Sequence, residues 1–234
     1  MLPQSADALA GYGFVVALAS EARTLCRRPP ASGQTLTFGE GCRLAVSGMG
    51  GVRAAEAALR LVGEGCRGIV SWGTCGGLAS GLMPGSLVVA TEVLAVDGRR
   101  YRAGTLRPPG AHHGTILSVS EPVASVEEKA LLAQQFGALA VDMESAALAR
   151  TACECGVDFV VVRAVVDPAQ EALPAVLARA VDGFGHVHAL ALLQGLGVNA
   201  RRWRELWRLA SHFRRARSAL ADLARTLPAL SGSA

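Results

Sequence analysis

Residues 141–170, VDMESAALARTACECGVDFVVVRAVVDPAQ, place carboxylates at the start of a helical pattern and at the exit of the strand that follows it. Asp142-Met143-Glu144 brackets a methionine with two acids. Asp167 closes the stretch, directly before Pro168. Between them Met143, Ala146, Ala147, Arg150, Thr151 and Glu154 recur at spacings of three and four, the period of a helix. Gly156 stands where a helix-ending glycine belongs. Phe159-Val160-Val161-Val162 then reads as a buried strand, rich in β-branched residues. It runs on through Arg163 to Asp167, where Pro168 forbids further regular pairing. Ligands of open α/β sheets bind at such strand ends. An acid leaving an apolar strand is desolvated, which raises its pKa, and a protonated Asp can act as a general acid near neutral pH. The plain alternative is a turn aspartate before proline.

The elements that must position these acids follow from the rest of the chain. Gly13 to Ala19 reads as a short, buried strand of a parallel sheet. Ser20-Glu21 follows, with Ser20 as a helix cap and Glu21 as either a first-turn carboxylate or a base at the strand end. Cys42 to Ser47 is a second strand. It enters the glycine turn Gly48-Met49-Gly50-Gly51 and a helix over Val52 to Val62. Such a turn can offer backbone N–H groups to an anion or a ribose. Gly68 to Trp72 is a third strand. The run Gly73-Thr74-Cys75-Gly76-Gly77 after it reads as a loop that brings backbone close to a flat ligand. Ser86 to Leu94 and Thr115 to Ser120 are further strands, with 97–113 between them as a polar loop. Ser125 caps a helix over Val126 to Phe136, with Glu128 in the capping-box position. Strands and helices alternating at this spacing predict an α/β fold, a mixed, mainly parallel sheet flanked by helices.

VDMESAALA followed by VVVRAVVDPA resembles the paired signature of the nucleoside phosphorylase and purine nucleosidase superfamily, and GTCGG resembles that family's nucleoside-lining GTxGG run. The resemblance covers roughly residues 13 to 170. It implies that Met143 and Glu144 hold a ribose and that Asp167 protonates a purine. It implies that Glu21 activates water, and that Thr74, Cys75, Gly76, Gly77 and Gly48 lie beside the substrate. Phosphorylases of the family carry an arginine two residues before the first glycine of GTxGG. Ser71 stands there, which removes a strong phosphate contact and favours hydrolysis; Arg43 or Arg53 could substitute.

Composition bounds the alternatives. The chain has 234 residues, 51% hydrophobic and 18% charged, with a net charge of +4. That describes a folded protein with ample core. The six cysteines form no CxxC pair, and His112-His113 lack a third metal ligand, so no metal site is expected. Reduced thiols, no signal-like N-terminus and no long apolar run predict a cytoplasmic protein without a membrane span. Leu173 to Leu196 reads as helical around Gly183-Phe184-Gly185, with His186 and His188 structural. From Arg201 the chain turns basic, eight arginines against Glu205 and Asp222. Trp203, Leu206, Trp207, Ala210, Phe213 and Leu220 are placed on one helical face. Residues 1–199 are thus expected as the α/β domain and 200–234 as a basic amphipathic extension. That extension either packs on the domain or contacts an anionic membrane; no nucleic-acid motif accompanies its charge.

These motifs together with the basic tail resemble the hopanoid-associated branch of the family. The implied reaction is removal of adenine from adenosylhopane, with no cofactor, on a nucleoside bearing an apolar 5′ group. A phosphorylase, a methylthioadenosine/adenosylhomocysteine nucleosidase and a non-catalytic nucleoside-binding protein are the rival readings. A homo-oligomer stays open.

Overall fold

The computed structural model describes residues 9–104, 106–173 and 200–230. The readings for residues before Leu9, for the helix through Leu196 and for His186 and His188 lie outside them. Among the described residues nine strands form the sheet: β1 (Gly13–Val16), β2 (Thr35–Phe38), β3 (Cys42–Val46), β4 (Gly68–Gly77), β5 (Leu87–Ala95), β6 (Arg100–Arg102), β7 (His112–Ser118), β8 (Ala140–Asp142) and β9 (Asp158–Asp167). The described helices are α1 (Ala19–Ala22), α2 (Gly51–Gly63), α3 (Val126–Phe136), α4 (Ser145–Cys155) and a long α5 (Ala200–Thr226).

Sheet order is β2-β3-β1-β4-β8-β7-β5-β6, and β9 bridges β4 and β5. The path β4-β9-β5-β7-β8 therefore returns to β4 and closes a ring of strands. Parallel pairings join β1 to β3 and β4, β4 to β9, β5 to β7 and β7 to β8. Antiparallel pairings join β2 to β3, β4 to β8, and β5 to β6 and β9. The sheet is mixed and mainly parallel.

Strand β9 shows why its sequence is apolar throughout. Val160, Val162, Ala164 and Val166 enter one core cluster, shared with Phe14, Trp72 and the apolar side of α5. Phe159, Val161 and Val165 enter another, with Ala54 and Leu61 of α2 and Leu148 and Ala152 of α4. A strand covered on both faces needs a continuous apolar run rather than alternation. A third cluster joins Leu94, Leu117 and Val141 to Leu132 and Phe136 of α3.

Several local expectations change. The GTCGG run is not a loop but the end of β4, because β9 and β8 pair with it on its two sides. The segment 97–113 holds β6 and the start of β7. Ser20 does not cap α1; Leu18 takes the N-cap, and its N–H is met by Glu21 from inside the helix. Ser125 does cap α3, accepting from the Glu128 N–H, and Gly137 and Gly156 end α3 and α4 in left-handed conformation.

Helix α5 packs on β9. Its buried residues are Leu209, His212, Ala216, Leu220, Leu223 and Ala224, and Leu227 directly after it is buried too. That stripe is rotated from the expected one: Trp207 is 66% exposed. The apolar repeat from Leu209 to Ala224 spans most of the helix, so it sets the docked face and leaves Trp207 outside it.

Candidate active site

One cavity of about 200 Å³ opens at the ends of β1, β4, β8 and β9. A water's share of liquid is about 30 Å³, so the space suits a small organic molecule better than a lone ion. Glu21, Met49, Thr74, Cys75, Gly76, Asp142, Met143, Glu144 and Asp167 border it. Val119, Pro122, Val123, Leu173 and Phe213 of α5 complete an apolar wall. The residues expected from four separate stretches of sequence thus meet in one place. Gly48 and Gly77 are not on its wall. Gly77 packs against Val165 and Pro168, and Gly48 precedes the wall residue Met49.

Glu21 is buried in α1. Its Oε1 accepts from the Thr74 N–H and the Thr74 hydroxyl, each at 2.8 Å, and its Oε2 accepts from the Leu18 N–H at 3.0 Å. Three donors fix this carboxylate at the end of β1. A Cβ on Gly73 would stand 2.6 Å from Arg163 Nη1 and 2.9 Å from Glu21 Oε1. Glycine there is what lets a buried cation and a buried anion approach each other across β4.

Arg163 is the member that motif reading passed over. Its Nε donates to Asp142 Oδ2 at 2.8 Å, and Nη2 stands 2.7 Å from the same oxygen as its ion-pair partner. Nη2 also meets Ser71 Oγ at 2.8 Å and Ser145 Oγ at 3.3 Å, and lies 3.6 Å from Glu144 Oε2. Burial opposes its charge, but Asp142 and Glu144 more than offset that and tighten its hold on the proton. The signal was in the sequence: an arginine inside FVVVRAVV has no partner on its own strand and demands buried acids.

Asp142 spends its oxygens on Arg163 and on the backbone and hydroxyl of Ser145. Glu144 does not. Its Oε1 accepts from the Gly50 N–H at 2.9 Å. The glycine turn before α2 therefore presents its N–H to an anion, as expected of such a turn, but the anion is the protein's own Glu144. Burial pushes the Glu144 pKa up, Arg163 pulls it down, and the Asp142 charge adds to the rise.

Asp167 sits at a β-bulge. Cys75 pairs with Val165 and Gly76 with Asp167, so β9 has one residue more than β4. Bulges re-aim side chains beside functional sites. A Cβ on Gly76 would lie 3.2 Å from Asp167 Oδ2, so the glycine makes room for the carboxyl. Burial raises the Asp167 pKa to about 6, against the opposing pull of Lys129. Lys129 of α3 is fully buried and donates to Asp167 Oδ2 at 2.5 Å. Nothing in ASVEEKALLAQQF marked it, since a lysine among acids on a helix reads as solvated. Burial also holds the Cys75 thiol well above its usual range, which leaves it protonated and unreactive.

The two arginines that could have stood in for a phosphate ligand do not border the cavity. Arg43 pairs with Glu64, and Arg53 is exposed on α2. Ser71 is buried against Arg163 and Ser145 and does not border the cavity. Among the described residues, no arginine or lysine borders the cavity.

A family model described as the phosphorylase superfamily matches residues 9–111 and 103–193. A search of curated proteins gives no match. Among solved structures, the chain is similar to 5′-methylthioadenosine/S-adenosylhomocysteine nucleosidase from Neisseria meningitidis in complex with methylthio-immucillin-A (TM-score 0.66, 21% identity, 93% of this chain and 98% of that one). It is similar to the corresponding Streptococcus pyogenes protein with 5-methylthiotubericidin (TM-score 0.62, 20% identity, 97% and 98%). It is also similar to futalosine hydrolase of Helicobacter pylori (TM-score 0.58, 19% identity, 89% and 97%).

Proposed function

The chain belongs to the phosphorylase superfamily, and we propose that within it the protein is a purine nucleosidase that hydrolyses the N-glycosidic bond of a 5′-substituted adenosine. The observation that carries this reading is the meeting of Glu21, Glu144 and Asp167 around one cavity. Glu21 is beside Gly73 and Asp167 beside Gly76. Three residues along a strand span about 10 Å, room for a water, a sugar carbon and a base between the two acids. Asp167, when protonated, donates to the departing purine and makes it a better leaving group. Glu144 accepts from ribose hydroxyls, and its charge favours the cationic sugar that forms as the bond breaks. Met143 offers a soft apolar surface to the sugar. Glu21 orients water toward the anomeric carbon. No residue role here calls for a metal or an organic cofactor.

Hydrolysis is preferred to phosphorolysis on electrostatic grounds. A phosphate dianion would enter a space bordered by Glu21, Asp142, Glu144 and Asp167, with no cationic side chain among its described wall residues. The nucleosidases among the structural neighbours are compatible with this choice and supply its nearest alternative, a methylthioadenosine or adenosylhomocysteine substrate. The apolar wall that includes Val119, Val123, Leu173 and Phe213 supports an apolar 5′ group. Adenosylhopane, giving adenine and ribosylhopane, is the substrate we favour.

A membrane-borne substrate would bring the protein from the cytoplasm to the inner membrane surface. Arg204, Trp207, Arg208, Arg214 and Arg215 lie on the exposed side of α5 and form a stripe suited to anionic lipid, at about 1 kcal/mol per basic residue and screened by salt. Because α5 also builds the core, substitution of the stripe is the proper test, not truncation. Trp207→Ala with Arg204→Glu and Arg214→Glu should abolish sedimentation with anionic liposomes at low salt and leave turnover of a soluble analogue unchanged.

The deciding experiment is chromatography of the products from several 5′-substituted adenosines, with and without phosphate. Adenine and free sugar should appear at equal rates in both. Strict phosphate dependence, with a sugar 1-phosphate product, would reverse the reading.

A further inference from the structure

Lys129 has no place in the chemistry above, yet it is the most completely buried charged side chain near the cavity, at 0% exposure. It is also saturated with oxygen. Its Nζ donates to Asp167 Oδ2 at 2.5 Å, to the Glu171 carbonyl at 2.7 Å and to the Pro168 carbonyl at 3.0 Å, with the Asp167 carbonyl at 3.4 Å. An ammonium has three hydrogens. All of its acceptors come from one stretch of chain, residues 167–171, the last residue of β9 and the turn that follows it. A lysine buried only to stabilise a helix would be costly. This one spends its desolvation on the turn that carries the candidate acid.

We propose that Lys129 is the positioning residue of Asp167: it fixes the carboxyl at the base end of the cavity and holds the turn behind it. The proposal rests on the nucleosidase reading, in which Asp167 serves the departing purine. The turn is held on its outer side as well. Glu171 Oε2 lies 3.2 Å from Arg208 Nε and 3.8 Å from His212 Nδ1, both on α5. Asp167 thus faces Lys129 from α3, Glu171 from its own turn, Cys75 from β4, and Asp142 and Glu144 across the cavity. Lys129 is the cation in direct contact with it among the described residues. Its point charge opposes the rise that burial imposes on Asp167. It therefore sets the pH at which the acid gives up its proton as well as where that proton points.

The test compares Lys129→Met, Lys129→Gln, Asp167→Asn and the Lys129→Met/Asp167→Asn double variant, each shown folded by circular dichroism. Glutamine keeps donors for the carbonyls without the charge, and the double variant removes both charges together, so an unfolded methionine variant does not end the experiment. A neighbouring cation lowers a carboxyl pKa by about one to three units. Loss of Lys129 should therefore move the alkaline limb of kcat/KM upward by a unit or more. It should lower kcat by roughly tenfold to a hundredfold with little change in KM, through misplacement of the acid. Added to Asp167→Asn, the lysine substitution should cost less than threefold further, because both act through one group. An unmoved limb together with additive losses would make Lys129 a structural residue and overturn the proposal while Asp167 keeps its role. Near wild-type activity in Asp167→Asn alone would instead remove the acid assignment on which the proposal stands.

Discussion

The cavity is served by two buried ion pairs with different cations. At one end Arg163 binds Asp142 through two nitrogens and reaches Ser71, Ser145 and Glu144 as well. At the other, Lys129 meets Asp167 through a single nitrogen and gives its remaining capacity to carbonyls. The planar fork suits a fixed lattice of acids, whereas the ammonium is a compact charge beside one carboxyl. The arginine end thus holds negative charge in place, where a cationic sugar would benefit from it. The lysine end balances a carboxyl near its titration point, where the proposed reaction needs a proton released. Positions, charges and roles divide along the same line.

The largest effect should come from the lysine end. Asp167→Asn keeps the shape but has no proton to give, and should lower adenine release by about 10² to 10⁴ with binding of a substrate analogue preserved. Near-normal release would erase the distinction between the ends. Arg163→Met should act on the fold instead. It strands Asp142 and Glu144 as buried, unbalanced charges, and urea unfolding should show a loss of about 3–5 kcal/mol. A loss under 1 kcal/mol would mean the arginine lattice is not what holds those acids. Glu144→Gln should lower kcat by roughly tenfold to a hundredfold with KM nearly constant, since its charge matters most as the sugar cation forms. A rise in KM alone would make it a uniform binding group.

The smallest effect is in pH. Burial raises the Asp167 pKa in the folded protein to about 6, so between the ordinary carboxyl value and about 6 the native state holds more proton than the unfolded chain. Its contribution to stability is full only below the ordinary carboxyl value and is lost as pH rises from there through about 6. The Tm of Asp167→Asn relative to wild type should therefore improve as pH goes from 4 to 7. In parallel, loss of the Asp167 proton should pull wild-type kcat/KM down as pH rises above about 6, while ionisation of Glu144, whose pKa burial pushes up to about 7, opposes that fall. A Tm difference independent of pH would show that the carboxyl is not perturbed.

The sequence made the carboxylates legible and the cations much less so. Met143, Glu144 and Asp167 stand in dense local patterns, and Thr74 to Gly76 in a glycine run that borders the cavity. Their strand and helix periods are set by burial on both faces of β9 and on one face of α4. Arg163 was visible as a charge inside an apolar strand, but its partners lie on β4 and β8 and at the start of α4, which no local period joins. Lys129 left no trace, because its burial depends on a turn 38 residues away. The stripe of α5 was misplaced for a related reason. Trp203, Leu206 and Trp207 satisfy helical spacing, but the sheet selects the longer repeat from Leu209 to Ala224. Gly76 looked like a ligand-facing glycine, and the structure gives it, with Gly73, the further task of making space for the protein's own charged groups.

The closed path β4-β9-β5-β7-β8 has a kinetic consequence. Its central pairing joins residues 68–76 to 158–167, so about ninety residues of chain must be gathered before those hydrogen bonds form. Loop closure of that length precedes the contacts that reward it, and folding dominated by such pairings runs in milliseconds to seconds. Amides of β4 and β9 should be the slowest to exchange with deuterium, and those of α5, docked from one side, should open earlier. The last register pair of that closure is Gly76 with Asp167. Catalytic competence during refolding should therefore appear with ring closure and not before it, even when helical signal has already recovered.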